Sequence, residues 1–91
     1  MIDKIKTAVE RTVGGPVTHE GSSPILESFR GETIWQGVVE IYKVNSAPPV
    51  LAYGWAVEGK SGPDYVAVKR VGPINSPLAA VRAWIVSQAK K

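Results

Sequence analysis

The sequence predicts a small α+β domain in which a helix, a three-stranded antiparallel meander and a second helix form a two-layer sandwich. Apolar residues recur at helical spacing near both ends of the chain. Between them lie three segments rich in β-branched and aromatic residues, joined by short runs of Gly, Pro, Ser and Asn that suit hairpin connections. The chain has 91 residues and no internal repeat, so we assign residues 1–91 to one domain.

The first helix is predicted over residues 2–13, where apolar residues three and four apart alternate with charged ones. The apolar stripe consists of Ile2, Ile5, Val9 and Val13. The helix should end at Gly14-Gly15-Pro16, because glycine adopts the left-handed cap conformation and proline cannot continue the helix.

Residues 17–32 carry Gly, Ser and Pro around short apolar pieces and show neither helical nor strand periodicity. We therefore predict a loop that holds at most one short strand.

Three strands are predicted over residues 33–44, 50–58 and 65–71, with connections at 45–49 and 59–64. In the first strand, Trp35, Val39 and Ile41 should face one side, and Val38, Glu40 and Tyr42 the other. The second strand alternates bulky residues with small ones. Its bulky residues are Leu51, Tyr53, Trp55 and Val57, and its small residues are Ala52, Gly54 and Ala56. The side with the small residues should accept a helix or a ligand lying directly on the sheet.

The last helix is predicted to begin at Ser76-Pro77, where a side-chain oxygen caps the helix and proline occupies its first position. Its broad apolar stripe should cover a face of the sheet. This stripe consists of Leu78, Val81, Trp84 and Ile85. We expect both helices on the same side of the sheet.

Composition excludes several classes of protein. There is no cysteine, so disulfides, thiolate metal sites and cysteine nucleophiles are ruled out. The N-terminal residues mix charges with apolar side chains, which argues against a signal peptide, and we expect a soluble cytoplasmic protein with no membrane partner. A net charge of +3 is well short of the basic excess typical of nucleic-acid binders.

Catalytic chemistry has one candidate in the sequence. His19 is the only histidine, and it adjoins Glu20 and lies close to Ser22 and Ser23. The same run is typical of a solvated loop, and catalytic groups normally come together from distant positions. We therefore assign no catalytic residue, no metal and no cofactor, and we favour a non-enzymatic protein. A small-ligand or enzymatic site at residues 17–30 stays open as an alternative.

Nucleic-acid binding is a second alternative. Basic residues fall among Trp and Tyr residues on the strands and the last helix. The candidates are Lys43, Lys69, Arg70 and Arg82. Glu40 and Glu58 dilute this positive charge, and the aromatic residues are needed to fill a small core. The order of elements is also that of double-stranded-RNA-binding domains, but the lysine cluster of that family at the start of the last helix is absent here.

Three segments of the chain resemble small bacterial proteins of unassigned function. These segments are Trp35-Gln36-Gly37-Val38-Val39-Glu40, Tyr53-Gly54-Trp55 and Ser76-Pro77-Leu78-Ala79-Ala80-Val81. The resemblance covers most of residues 33–86, implies a single domain and transfers no site residues.

The leading hypothesis for function is a non-enzymatic binding or interaction module. Its candidate surface residues are Tyr53, Trp55 and Trp84. Self-association into a homodimer is the simplest form of such a module, since the edges of a three-stranded sheet invite pairing with a second copy.

Overall fold

The structure is a computed structural model that describes residues 2–45, 49–59, 62–70 and 74–89. Its elements are α1 (Ile2–Val13), β1 (Val17–Phe29), β2 (Glu32–Val44), β3 (Val50–Gly59), β4 (Gly62–Lys69) and α2 (Pro77–Ala89). The strands form one antiparallel sheet in the order β1-β2-β3-β4. The α+β class and the antiparallel meander are confirmed, but the sheet has four strands where the sequence predicted three.

The additional strand is β1, and the prediction of a loop over residues 17–32 is wrong. Two positions explain how a strand accommodates these residues. Glu20 is left out of register between the pairs His19–Tyr42 and Gly21–Ile41, so it forms a β-bulge. Pro24 lies in a strand at the edge of the sheet, the position in which a missing backbone N–H is tolerated.

A two-residue turn at Arg30 and Gly31 joins β1 to β2. Both residues have positive φ, at 53° and 81°, which is typical of the tight hairpin turn that matches the twist of antiparallel strands. The connections from β2 to β3 and from β3 to β4 lie close to their predicted positions. β4 begins at Gly62 rather than residue 65, while residues 46–48 of the predicted turn and Val71, the predicted end of the strand, lie outside the described residues.

Both helix boundaries predicted from sequence are confirmed. The end of α1 is capped by the N–H groups of Gly14 and Gly15, which donate to the carbonyl oxygen of Glu10 at 2.9 and 3.2 Å. At the start of α2 the Ser76 hydroxyl accepts a hydrogen bond from the N–H of Ala79 at 3.1 Å.

The helices lie on opposite faces of the sheet, so the fold has three layers, and the predicted two-layer sandwich with both helices on one side is wrong. Ile5 and Val9 of α1 pack with Ala52 on one face, called here the α1 side. Ala80 and Val81 of α2 pack with Trp55 on the other face, the α2 side. The physical reason is that both faces of β3 are buried and each needs its own cover.

The α1 side of β3 is flat, and α1 lies directly on it, as the small residues predicted. A Cβ atom at Gly54 would be 2.7 Å from Cγ2 of Ile5 and 2.8 Å from Cγ2 of Val9. Glycine at this position therefore sets how closely the helix approaches the sheet.

The α2 side carries three tryptophans in contact. Trp55 is fully buried, and its ring meets those of Trp35 and Trp84 edge to face at centroid distances of 6.1 and 6.0 Å. Trp35 also covers Gly37, where a Cβ would be 2.8 Å from its ring. The bulky face of β3 is thus covered within one copy of the chain.

Pairing between β2 and β3 is short. It covers residues 40–44 of β2 and ends, among the described residues, at the pair Glu40–Gly54. Pairing between β1 and β2 continues to the turn, through twelve pairs of residues. The far half of this hairpin, residues 24–38, therefore extends from the rest of the sheet as a two-stranded ribbon that we call the distal arm.

Gly54→Ala tests the contact between α1 and the sheet. The added methyl group would overlap two side chains of α1, so we expect the free energy of unfolding to fall by about 1–3 kcal/mol in urea denaturation. Gly21→Ala is the matched control, since a Cβ there meets no atom within 4 Å. Equal stabilities of the two variants would contradict the close approach of α1.

Candidate functional site

A polar cluster lies on the α1 side, where β1 meets β2. Glu40 is buried, with 7% of its surface exposed. Its Oε1 atom lies 2.8 Å from Nε2 of His19 and accepts a hydrogen bond from the Ser22 hydroxyl. The His19 ring also packs edge to face on Tyr42 at a centroid distance of 5.3 Å.

The bulge at Glu20 brings this cluster together. Alternate residues of a regular strand face opposite sides, so His19 and Ser22 would point away from each other. The extra residue reverses the alternation, and Ser22 comes to lie opposite Glu40 while His19 lies opposite Tyr42. Both side chains therefore reach the same carboxylate.

The buried Glu40 carboxylate has two hydrogen-bonding partners, and a buried charged group requires such partners. Of the group predicted around His19, the structure brings in Ser22 only. Glu20 occupies the bulge, and Ser23 lies opposite Val39 on the α2 side. The Ser22 hydroxyl donates its hydrogen bond to the Glu40 carboxylate, whereas a nucleophile activated by histidine would donate to the imidazole.

The basic residues proposed for nucleic acid are divided between the two faces. Lys43 pairs with Leu51 on the α2 side, and Lys69 pairs with Ala52 on the α1 side. Arg70 follows β4 and is held there by its backbone N–H, which donates to the carbonyl oxygen of Leu51 at 3.0 Å. Arg82 is on α2 in an ion pair. The four residues do not lie together on one face, and nucleic-acid binding through them stays a prediction.

The aromatic residues proposed as an interaction surface lie mostly in the core. Tyr53 and Trp55 are 2% and 0% exposed, and Trp84 is half-buried against Trp55. The exposed large apolar side chains lie elsewhere. Among the described residues they are Leu26, Phe29, Ile34, Val38 and Val86.

Four of these side chains belong to the distal arm. Sequence reasoning missed Leu26 and Phe29 because it interpreted residues 17–32 as a loop, in which isolated apolar residues carry no pattern. Ile34 and Val38 fell in a predicted strand, but without β1 beside it nothing grouped them with other exposed apolar residues. Pairing of β1 with β2 explains their grouping, since residues that are opposite each other in the two strands share a face.

The α1 side of the arm presents an exposed surface that we call the arm face. It consists of Pro24, Leu26, Gln36 and Val38, with Pro24 opposite Val38 and Leu26 opposite Gln36. Leu26 is 61% exposed and Val38 is 49% exposed. Helix α1 packs mainly on β3 and β4 and leaves this surface uncovered.

The α2 side of the arm forms a concave surface with α2, called here the tip groove. Its volume is about 380 Å³. Its lining is mostly apolar and consists of Glu27, Ser28, Phe29, Ile34, Arg82, Ile85 and Val86.

An ion pair between Glu27 of β1 and Arg82 of α2 crosses the tip groove. The guanidinium of Arg82 donates a hydrogen bond to the Glu27 carboxylate and holds the pKa of that carboxyl below its ordinary value. This ion pair connects the arm to α2.

Comparisons with protein families, with curated proteins and with solved structures find no match for the chain. Neither helix, in the residues described, has the length and apolar character needed to cross a membrane. The same residues hold no group of three His, Asp or Glu side chains placed to bind a metal.

His19→Ala tests the polar cluster. The substitution leaves a buried carboxylate with one partner fewer, so we expect the free energy of unfolding to fall by about 1–3 kcal/mol. Adding Glu40→Gln should recover part of that loss, because a neutral amide costs less to bury than a carboxylate. Glu20→Gln, an exposed change on the same strand, is the control and should stay within about 0.5 kcal/mol. A loss no greater than that of the control would refute the role of His19.

Glu27→Gln tests the ion pair through its pH dependence. Since the folded-state pKa of Glu27 is lowered, its contribution to stability is present above the ordinary glutamate pKa, about 4.3, and disappears as the pH falls through the lowered value. Wild-type protein should therefore be more stable than the variant at pH 7, and the difference should vanish in acid. Glu20→Gln provides an exposed control on β1. A difference that persists unchanged into acid would exclude the ion pair as its cause.

Proposed function

We propose that the protein is a non-enzymatic protein-interaction module that binds its partner through the distal arm. The observation that carries this proposal is the concentration of exposed apolar side chains there. Among the residues whose side-chain burial the structure describes, every exposed large apolar residue is on the arm or, as Val86, faces it across the tip groove. Grouped apolar surface of this kind is characteristic of protein–protein interaction sites.

The free energy gained by burying apolar side chains favours covering this surface with a partner. Fully burying a Leu, Val, Ile or Phe side chain contributes about 1.5–3 kcal/mol. On the arm face, Leu26 is 61% exposed and Val38 is 49% exposed, so these two side chains forgo much of that contribution in the isolated chain. A partner covering the arm would provide it.

The shape of the molecule supports the same conclusion. The accessible surface is 5976 Å², whereas a compact protein of 9.8 kDa has about 5,200 Å². The radius of gyration is 13.0 Å, against about 12.2 Å for a compact chain of this length. A hairpin that extends from the body of the fold increases both the accessible surface and the radius of gyration.

The outer edge of β1 suits association less well than the faces of the arm. The outer edge of β1 contains a bulge at Glu20 and a proline at position 24, which are features that prevent strands from adding to an exposed edge. The expected homodimer through paired edges is therefore replaced, in our proposal, by contact through side chains on a face.

Photo-crosslinking in the cells that make the protein tests the proposal. With benzoylphenylalanine in place of Leu26, we expect a protein crosslink of defined mass that weakens when Val38 is changed to Glu. The same probe in place of Thr12, exposed on α1, is the control and should give no such product. Equal products from the two positions, or none from position 26, would refute binding through the arm.

A further inference from the structure

We infer that the partner is a second copy of this chain, packed arm face against arm face about a twofold axis. The inference rests on the proposed function and adds to it the identity of the partner and the surface used. Contact between identical patches requires that the patch be complementary to itself.

The charges of the arm support self-complementarity. Residues 24–38 contain three charged side chains, Glu27, Arg30 and Glu32, and none is on the arm face. Glu27 forms an ion pair with Arg82 on the α2 side, and Arg30 lies over the Phe29 ring at 5.2 Å at the turn. Glu32 is opposite Phe29, which lines the tip groove. Two copies of the arm face can therefore meet without placing like charges opposite each other.

The polar residue of the arm face also suits an identical partner. The amide of Gln36 is both donor and acceptor, so two copies can hydrogen-bond to each other across a twofold axis. The surrounding surface is a two-stranded ribbon whose side chains stand out from one face, as they do where two sheets pack about 10 Å apart.

The tip groove does not provide the same contact. It is concave, and two concave surfaces cannot fill each other about a twofold axis. The groove and the arm face are on opposite sides of one hairpin, so substitutions on the two sides can be matched in exposure and chemistry.

The size of the arm face predicts a modest affinity. Two strands carrying four face residues bury less than the interfaces of obligate dimers, and small interfaces of this kind are typically weak or transient. We therefore expect a dissociation constant in the micromolar range.

Analytical ultracentrifugation of purified wild-type protein, Leu26→Glu and Val86→Glu provides the test. Wild-type protein should form dimers. Leu26→Glu should weaken association by about tenfold or more, because its carboxylate would be buried against apolar side chains. Val86→Glu, at an exposed apolar residue on the groove side, should change the constant by less than about twofold. Leu26 is mostly exposed, so the variant should fold, as circular dichroism would verify.

Mixing two charge variants tests whether the dimer forms through the arm face or through another surface. Leu26→Glu and Leu26→Lys should each be largely monomeric alone, and the mixture should form dimers again, since opposite charges would meet across the interface.

A monomeric wild-type protein at about 500 µM, well above a micromolar dissociation constant, would overturn the inference. So would dissociation by Val86→Glu but not by Leu26→Glu. If the wild-type protein is monomeric but position 26 crosslinks to a protein of another mass, the interaction module stands and the homodimer falls; without any crosslink, both fail.

Discussion

The short pairing between β2 and β3 is the constraint on which the rest of the structure depends. It ends at Glu40 and Gly54. At this point α1 packs directly against the backbone of Gly54. On the opposite face, Trp55 packs against Trp84 of α2. Up to this point the sheet is buried by a helix on each side. Beyond it, the hairpin of β1 and β2 continues as an arm with a face that α1 does not cover.

The polar cluster holds the base of this arm. Glu40 is buried at the last pair between β2 and β3, and its two partners both come from β1. A shift of β1 by one residue would move Ser22 to the other face and leave the carboxylate without that bond. The bulge at Glu20 and the buried carboxylate therefore fix the register of the long hairpin, and with it the grouping of Leu26 and Val38 on one side.

Local sequence signals predicted the elements that depend on local chemistry. The periodicity of α1, its glycine cap and the Ser76 cap of α2 are properties of adjacent residues, and the structure confirms them. The small residues around Gly54 also correctly indicated a face that accepts a helix. Strand β1 was missed because its glycine, serines and proline signal a turn locally, whereas pairing with β2 over the full hairpin overrides that signal.

The candidate site depends on contacts that sequence spacing does not reveal. His19 and Glu40 are 21 residues apart and meet only because of a bulge, and the arm face exists only when β1 is a strand. The sequence suggested Tyr53, Trp55 and Trp84 as the interaction surface. The first two are buried, and the exposed apolar residues belong mainly to the hairpin of β1 and β2.

Isotope-filtered NMR on a mixture of labelled and unlabelled protein tests most directly the claim that the arm face is the contact surface. The account predicts intermolecular nuclear Overhauser effects from the methyl groups of Leu26 and Val38, and none from Val86. Intermolecular effects confined to Ile34 and Val86, or to the outer edge of β1, would contradict it.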